Sequence, residues 1–318
     1  MTNRILEAVC ADPWLITESG MRQIVAIAER QADLEAFLAV SKVDPASSKP
    51  QVDKRGDTAI IPVRGPIFRY ANLLTNVSGA TSVQVLARDI AAAEADPAVR
   101  AIVLAVDSPG GQAAGIADLV STIKAIEKPI TAYVDNQAAS AAYWLAAATS
   151  EVVISRAALV GNVGVAVSAN VNKRDGIIEI VSSQSPKKRP DLSTEAGRAQ
   201  VQTIVDDLAA VFISDIARLR DLSEKAVLAW EGDVRLGSKA VAVGMADRIG
   251  NLTEVIRGRP LVPRSDQPRA VPVSATQAFH DAVSQYEAAG RSRADAIRMV
   301  ARHQPDLHER YLTEVNGG

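Results

Sequence analysis

Asp107-Ser108-Pro109-Gly110-Gly111 follows the unbroken apolar run Ala101-Ile102-Val103-Leu104-Ala105-Val106. An apolar run bounded by Pro and Gly reads as a buried strand that ends in a sharp turn. Adjacent glycines let the main chain come close to a ligand, and the N–H groups of such a turn can face a developing oxyanion. Downstream, Ala138-Ala139-Ser140-Ala141-Ala142-Tyr143-Trp144 places Ser140 at the start of a small-residue helix. There the hydroxyl lies near the positive end of the helix dipole, as an N-cap serine does. Turn and serine together make a candidate acyl-transfer site.

Working outward, Ala59-Ile60-Ile61-Pro62-Val63 reads as a strand, with Pro62 suggesting an edge or a strand start. Thr81 or Ser82 can cap a helix carrying Val83, Leu86 and Ile90. After the glycine turn come a helix over about 113–127, a strand at Ile130–Val134, the Ser140 helix and a strand at Val152-Val153-Ile154. Gly161-Asn162-Val163-Gly164-Val165 forms a second glycine-punctuated turn, and Ile177 to Val181 a further strand. A long helix is expected from Ser193 to Leu219, with Val201, Ile204, Val205, Leu208, Phe212, Ile216 and Leu219 on one stripe. Strands alternating with helices imply an α/β fold with a mostly parallel sheet and helices outside.

The chain divides by composition. Residues 1–40 form an N-terminal helical arm, with Thr17 as N-cap and Ile24, Ile27, Leu34 and Leu38 on roughly one face. That helix either packs on its own domain or clasps a neighbouring subunit. Residues 41–55, with Pro45 and Pro50, are a linker, and 56–256 the main domain. Residues 257–275, carrying Pro260, Pro263, Pro268 and Pro272, are a second linker before a helical tail at 276–318. In the tail, Arg291, Arg293, Arg298 and Arg302 mark either a solvated helix face or a partner contact.

Residue scarcity narrows the chemistry. The single cysteine, Cys10, excludes disulfide frameworks and cysteine-rich zinc sites, and no metal or cofactor is expected. A net charge of −2 gives no argument for nucleic acid or an anionic membrane. No run approaches the roughly 18 apolar residues of a membrane span, so a cytoplasmic protein is expected. The three histidines, His280, His303 and His308, all lie in the tail. A serine nucleophile in the central domain therefore has no histidine near it in sequence, which directs the search to lysine. Lowering a lysine from about 10.4 to about 7–8, where it can act as a base, takes roughly 4 kcal/mol of differential interaction. The candidates lie in Ser185-Pro186-Lys187-Lys188-Arg189-Pro190, a stretch that also reads as a solvated basic loop.

Taken together, Asp107 to Gly111, Ala139-Ser140-Ala141-Ala142-Tyr143, Gly161 to Val165 and Gly237…Ala240…Gly244-Met245-Ala246-Asp247 resemble the serine–lysine peptidases. That family includes bacterial signal peptide peptidase A and the C-type phage capsid-assembly proteases. The resemblance covers roughly residues 55–256. It implies a Clp protease/crotonase-like fold of stacked β-β-α units that assembles into homo-oligomers. It implies Ser140 as nucleophile and, as base, Lys188, which stands 48 residues after Ser140, with Lys187 as the alternative. It also implies the Gly111 N–H as oxyanion donor, with Gly110 shaping the turn and Ala141 N–H assisting. Where many members carry a lysine-orienting serine, this chain has Asn162, whose carbonyl oxygen can accept from a lysine.

The helical extensions look more like the phage or prophage branch, which implies work in the host cytoplasm or the prohead on capsid scaffold or portal-type proteins. Other readings are a cytoplasmic signal-peptide-peptidase-like protease, a non-catalytic oligomeric assembly protein, and a crotonase-like acyl-CoA enzyme. The last shares the glycine turn but uses carboxylates, and no glutamate adjoins Gly111 or Ser140.

Overall fold

The computed structural model describes residues 13–30, 52–71, 80–167, 184, 187, 190–258, 276, 279, 280, 282, 283, 292–303 and 305–316. The chain divides between Leu261 and Val262 into two compact units. In the first, the elements in chain order are β1 (Trp14–Ile16), α1 (Glu18–Arg30), β2 (Asp53–Arg55), β3 (Thr58–Arg64), β4 (Ile67–Phe68), β5 (Thr81–Ser82), α2 (Val83–Ala95), β6 (Ala101–Ser108) and β7 (Gly110–Gln112). There follow α3 (Ile116–Ala125), β8 (Ile130–Ala139), α4 (Ala141–Ala147), β9 (Glu151–Ile154), β10 (Leu159–Gly161) and α5 (Glu195–Arg220). The unit closes with α6 (Glu224–Leu228), β11 (Val234–Leu236), α7 (Ser238–Ala242), β12 (Arg248–Ile249) and α8 (Leu252–Ile256).

The larger sheet runs β11-β10-β8-β6-β3-β2, with β9 on β8 and β12 on β9. Its centre, β3-β6-β8, is parallel, and its residues are mostly buried, which is why β6 reads as a continuous apolar run. Pro62 falls where β2 has already ended, because β2 pairs only with Thr58–Ile60. Its missing N–H therefore breaks no β2–β3 bond.

β8 is longer than the apolar run Ile130–Val134 suggests. A register irregularity between Val106 and Ser108 of β6 lets β8 run on and change partner. It pairs β9 through Thr131–Val134 and β10 through Gln137–Ala139. A smaller sheet, β1-β7-β4-β5, lies beside it.

Two helices wrap the core as expected. α2 is capped by Ser82, whose Oγ accepts from the Val85 N–H, and it buries Val83, Leu86 and Ile90. α5 starts at a Thr194 cap. Its buried residues include Phe212, Ile216 and Leu219, whereas Ile204 is 54% exposed. Only the C-terminal half of the expected stripe meets the core, where Phe212 stacks on Trp144. α1 covers Glu18–Arg30, the rest of the expected helix to Leu38 lies outside the described residues, and Ile24 packs with Trp14, Ile16, Phe68 and Ala80 of its own unit. Residues 177–181 and most of both expected linkers lie outside the described residues.

The second unit contains α9 (Arg293–His303) and α10 (Pro305–Asn316). Its small core joins Phe279, Ala282, Val283 and Val300, with Phe279 stacked on Tyr311 at 4.2 Å between centroids.

One buried ion pair ties α5 to the end of the domain. Arg220 donates to both Asp247 carboxylate oxygens at 2.9 Å and to the Gly244 carbonyl at 2.8 Å. Asp247 also accepts the Val152 N–H at 2.7 Å, locking β9. Burial disfavours the Arg220 charge, but the Asp247 carboxylate outweighs it and raises the guanidinium's proton affinity. Arg220→Ala strands the Asp247 carboxylate and should cost about 3–5 kcal/mol, read as a lowered urea midpoint.

Candidate active site

α4 consists of Ala141-Ala142-Tyr143-Trp144-Leu145-Ala146-Ala147, and all seven are buried. So thorough a burial suits alanine, which loses no side-chain entropy and packs backbone closely. The two aromatics fix its rotation. Trp144 stacks on Phe212 at 4.4 Å and donates Nε1–H to Asp215 at 3.1 Å, while the Tyr143 hydroxyl donates to the Met245 carbonyl at 3.0 Å.

Ser140 joins β8 to this helix and has φ 54° and ψ −119°. An ordinary N-cap lies in the β region with its side chain bonded to the helix. Ser140 does neither: its backbone is strained and its side chain makes no capping bond. The expectation of a capping serine is corrected here. A non-glycine residue in so sparse a region costs on the order of 1–3 kcal/mol and persists only where the surroundings hold it. The restraint is visible: the Ser140 N–H donates to the Gly161 carbonyl at 2.8 Å, and its own carbonyl accepts the Trp144 N–H at 3.0 Å. Ser140 is 1% exposed. Such a sharp strand-to-helix turn lifts a serine hydroxyl away from helix and strand alike.

The glycine turn meets the serine turn directly. Gly110 has φ +106°, and a Cβ on it would overlap the Leu15 carbonyl oxygen and stand 3.0 Å from the Ala139 carbonyl oxygen. A Cβ on Gly111 would overlap the Ile67 carbonyl of β4. Only glycine fits at either position. Ser108, which sequence reading passed over, fastens the turn: its Oγ donates to the Gly65 carbonyl at 2.6 Å and accepts the Gly110 N–H at 3.2 Å. Ala141, first residue of α4, carries an N–H with no intrahelical acceptor.

β1 runs antiparallel to β7, with Leu15 opposite Gly111. The Thr17 N–H donates to the Pro109 carbonyl at 3.0 Å, and the Ala113 N–H to the Pro13 carbonyl at 3.2 Å. Hydrogen-bonded pairs recur at every second residue of an antiparallel ladder, so Leu15 and Gly111 form the pair between them. The Gly111 N–H is thus directed at the Leu15 carbonyl. The short apolar triplet Trp14-Leu15-Ile16 is the only sequence signal of this strand.

Asn162 follows β10 with φ 56°. Its N–H donates to the Asp233 carbonyl at 3.0 Å and its Nδ2 to the Gly232 carbonyl at 2.9 Å. A carbonyl partner fixes the amide's orientation and leaves Oδ1 as the end that accepts. Lys187 is exposed, and its carbonyl accepts from Gln200. Lys188 lies outside the described residues.

Residues 122–259 match the model of peptidase family S49, and residues 68–160 match the Clp protease model. The mixed α/β architecture with parallel strands is Clp protease-like. The chain is 30% identical over 208 residues to the head-tail preconnector protein GP5 of Enterobacteria phage P21, covering 62% of this chain and 42% of that one. It is 29% identical to the capsid assembly protease C of Escherichia phage lambda, covering 62% of this chain and 47% of the relative. It is also 29% identical to protease 4 of Salmonella typhi, covering 69% and 37% respectively. The chain therefore spans less than half the length of these relatives. Among the described residues, no helix is long and apolar enough to cross a membrane.

The strain at Ser140 has a measurable signature. Ser140→Gly should be more stable than Ser140→Ala by about 1 kcal/mol, because only glycine relaxes at this φ, net of its entropy cost. Urea unfolding of the two variants checks this, and equal midpoints would contradict it.

Proposed function

We propose that the chain is a serine endopeptidase with a Ser140–lysine dyad, working on protein substrates during assembly of a phage-type capsid. The observation that carries the reading is the strained Ser140 turn set against the Gly110-Gly111 backbone. Ser140 Oγ attacks the scissile carbonyl, and a neutral lysine accepts the hydroxyl proton and later gives it to the leaving amine. The Gly111 and Ala141 N–H groups stabilise the oxyanion. Lys188 is the favoured base; Lys187, being exposed, is the weaker candidate. The Oδ1 of Asn162 is the proposed acceptor that orients the lysine ammonium. Two phage relatives are named as a capsid assembly protease and a head-tail preconnector protein, which is in keeping with the proposed scaffold or portal-type substrates, action in the prohead and work as a homo-oligomer.

Co-expression with a scaffold protein tests the assignment. Ser140→Ala should leave the scaffold intact, and persistent cleavage would refute the nucleophile. Lys188→Ala should be equally inactive while Lys187→Ala retains cleavage; the reverse pattern would transfer the base to Lys187. Because the base must be neutral, kcat/KM should rise with pH.

A further inference from the structure

The stretch Pro13–Thr17 is held along both of its edges. On one side it pairs with β7, from Pro109 to Ala113. On the other, the Trp14 N–H donates to the Ala166 carbonyl and the Ala166 N–H to the Trp14 carbonyl, both at 2.9 Å. These two edges flank the nucleophile. Gly110 abuts the Ala139 carbonyl, and the Ser140 N–H bonds Gly161, five residues before Ala166. The other edge of β7 is taken by β4, so the edge bearing β1 is the one along which an extended peptide could reach Ser140. Peptides commonly bind by adding a strand to such an edge.

We propose that β1 occupies the peptide-binding groove as a built-in pseudosubstrate, so that substrate enters only when Pro13–Thr17 leaves. The proposal rests on the peptidase reading above. Its central contact is the Gly111 N–H: the donor assigned to the oxyanion is directed at the Leu15 carbonyl, which puts the Leu15–Ile16 peptide bond where a scissile bond would lie. Leu15 is fully buried and Trp14 is 1% exposed, so the side chains are seated as well as the backbone. The occupant thereby names the class of ligand: an extended peptide with a leucine-like residue whose carbonyl meets Gly111, preceded by a large apolar residue that faces Ala166.

The probe follows from the occupant. Acetyl-Pro-Trp-leucinal, added to the full-length protein, should form a hemiacetal with Ser140. Hydrogen exchange of the Trp14–Thr17 amides should then accelerate, because strand and probe compete for the same donors. An adduct on Ser140 with unchanged protection of these amides would overturn the pseudosubstrate and leave the peptidase reading standing. No adduct in any form of the protein would overturn both.

A second measurement uses full-length Leu15→Pro, which removes the Leu15 N–H from the ladder. If the groove is open in about a tenth of wild-type molecules, the variant's kcat/KM on a fluorogenic Pro-Trp-Leu peptide should rise about tenfold. A variant that folds and cleaves no faster than wild type contradicts the proposal. If the variant does not fold, the exchange experiment on the wild-type chain decides alone.

Discussion

The backbone of Gly110 and Gly111 lies in contact with three other stretches of main chain, and the site depends on that contact. Leu15 and Ile67 each bring a carbonyl to a place where a Cβ would stand, and the Ala139 carbonyl lies 3.0 Å from such a Cβ. Because neither glycine has a side chain, β1, β4 and the end of β8 converge on one turn, and Ser140 follows β8 into the same space. Ser108 bonds this turn to Gly65, so its shape is set from within.

Strain at Ser140 is the counterpart of this close packing. The backbone there is held by Gly161 on one side and by α4 on the other, and α4 is itself held by Phe212, Asp215 and Met245. The Arg220–Asp247 pair anchors the far end of that support, linking α5 to β9. The chain from a surface helix to the serine is short and consists of hydrogen bonds and stacked rings. A sequence so rich in alanine can pack this tightly because its helices approach closely.

Much of this was legible in the sequence. β6, its glycine turn and α2 were readable because parallel strands buried on both faces appear as apolar runs, and because Ser82 is a regular cap. Absence of histidine from the central domain is the sequence feature on which the proposed lysine base rests. The polar stretch Asp135-Asn136-Gln137 hid the true length of β8, since a register irregularity turns those residues outward while the strand continues. Ser140 read as a cap because residue type does not reveal φ. β1 was invisible as a strand: three apolar residues carry no periodicity, and its partners at 110–112 and 166 are remote in sequence. The choice between Lys187 and Lys188 was equally beyond reach, as adjacent identical residues carry no register.

The distance between β1 and its seat has a consequence for synthesis. Trp14 leaves the ribosome long before Ala166, and at about 5–20 residues per second the interval is roughly 8–30 s. Throughout that time the strand has only part of its docking surface, and closing so long a loop comes late by its entropy. The groove edges are therefore translated after the segment that fills them. Until Ala166 is made, β1 can pair only along its β7 edge, so the edge that meets Ala166 is the last to close.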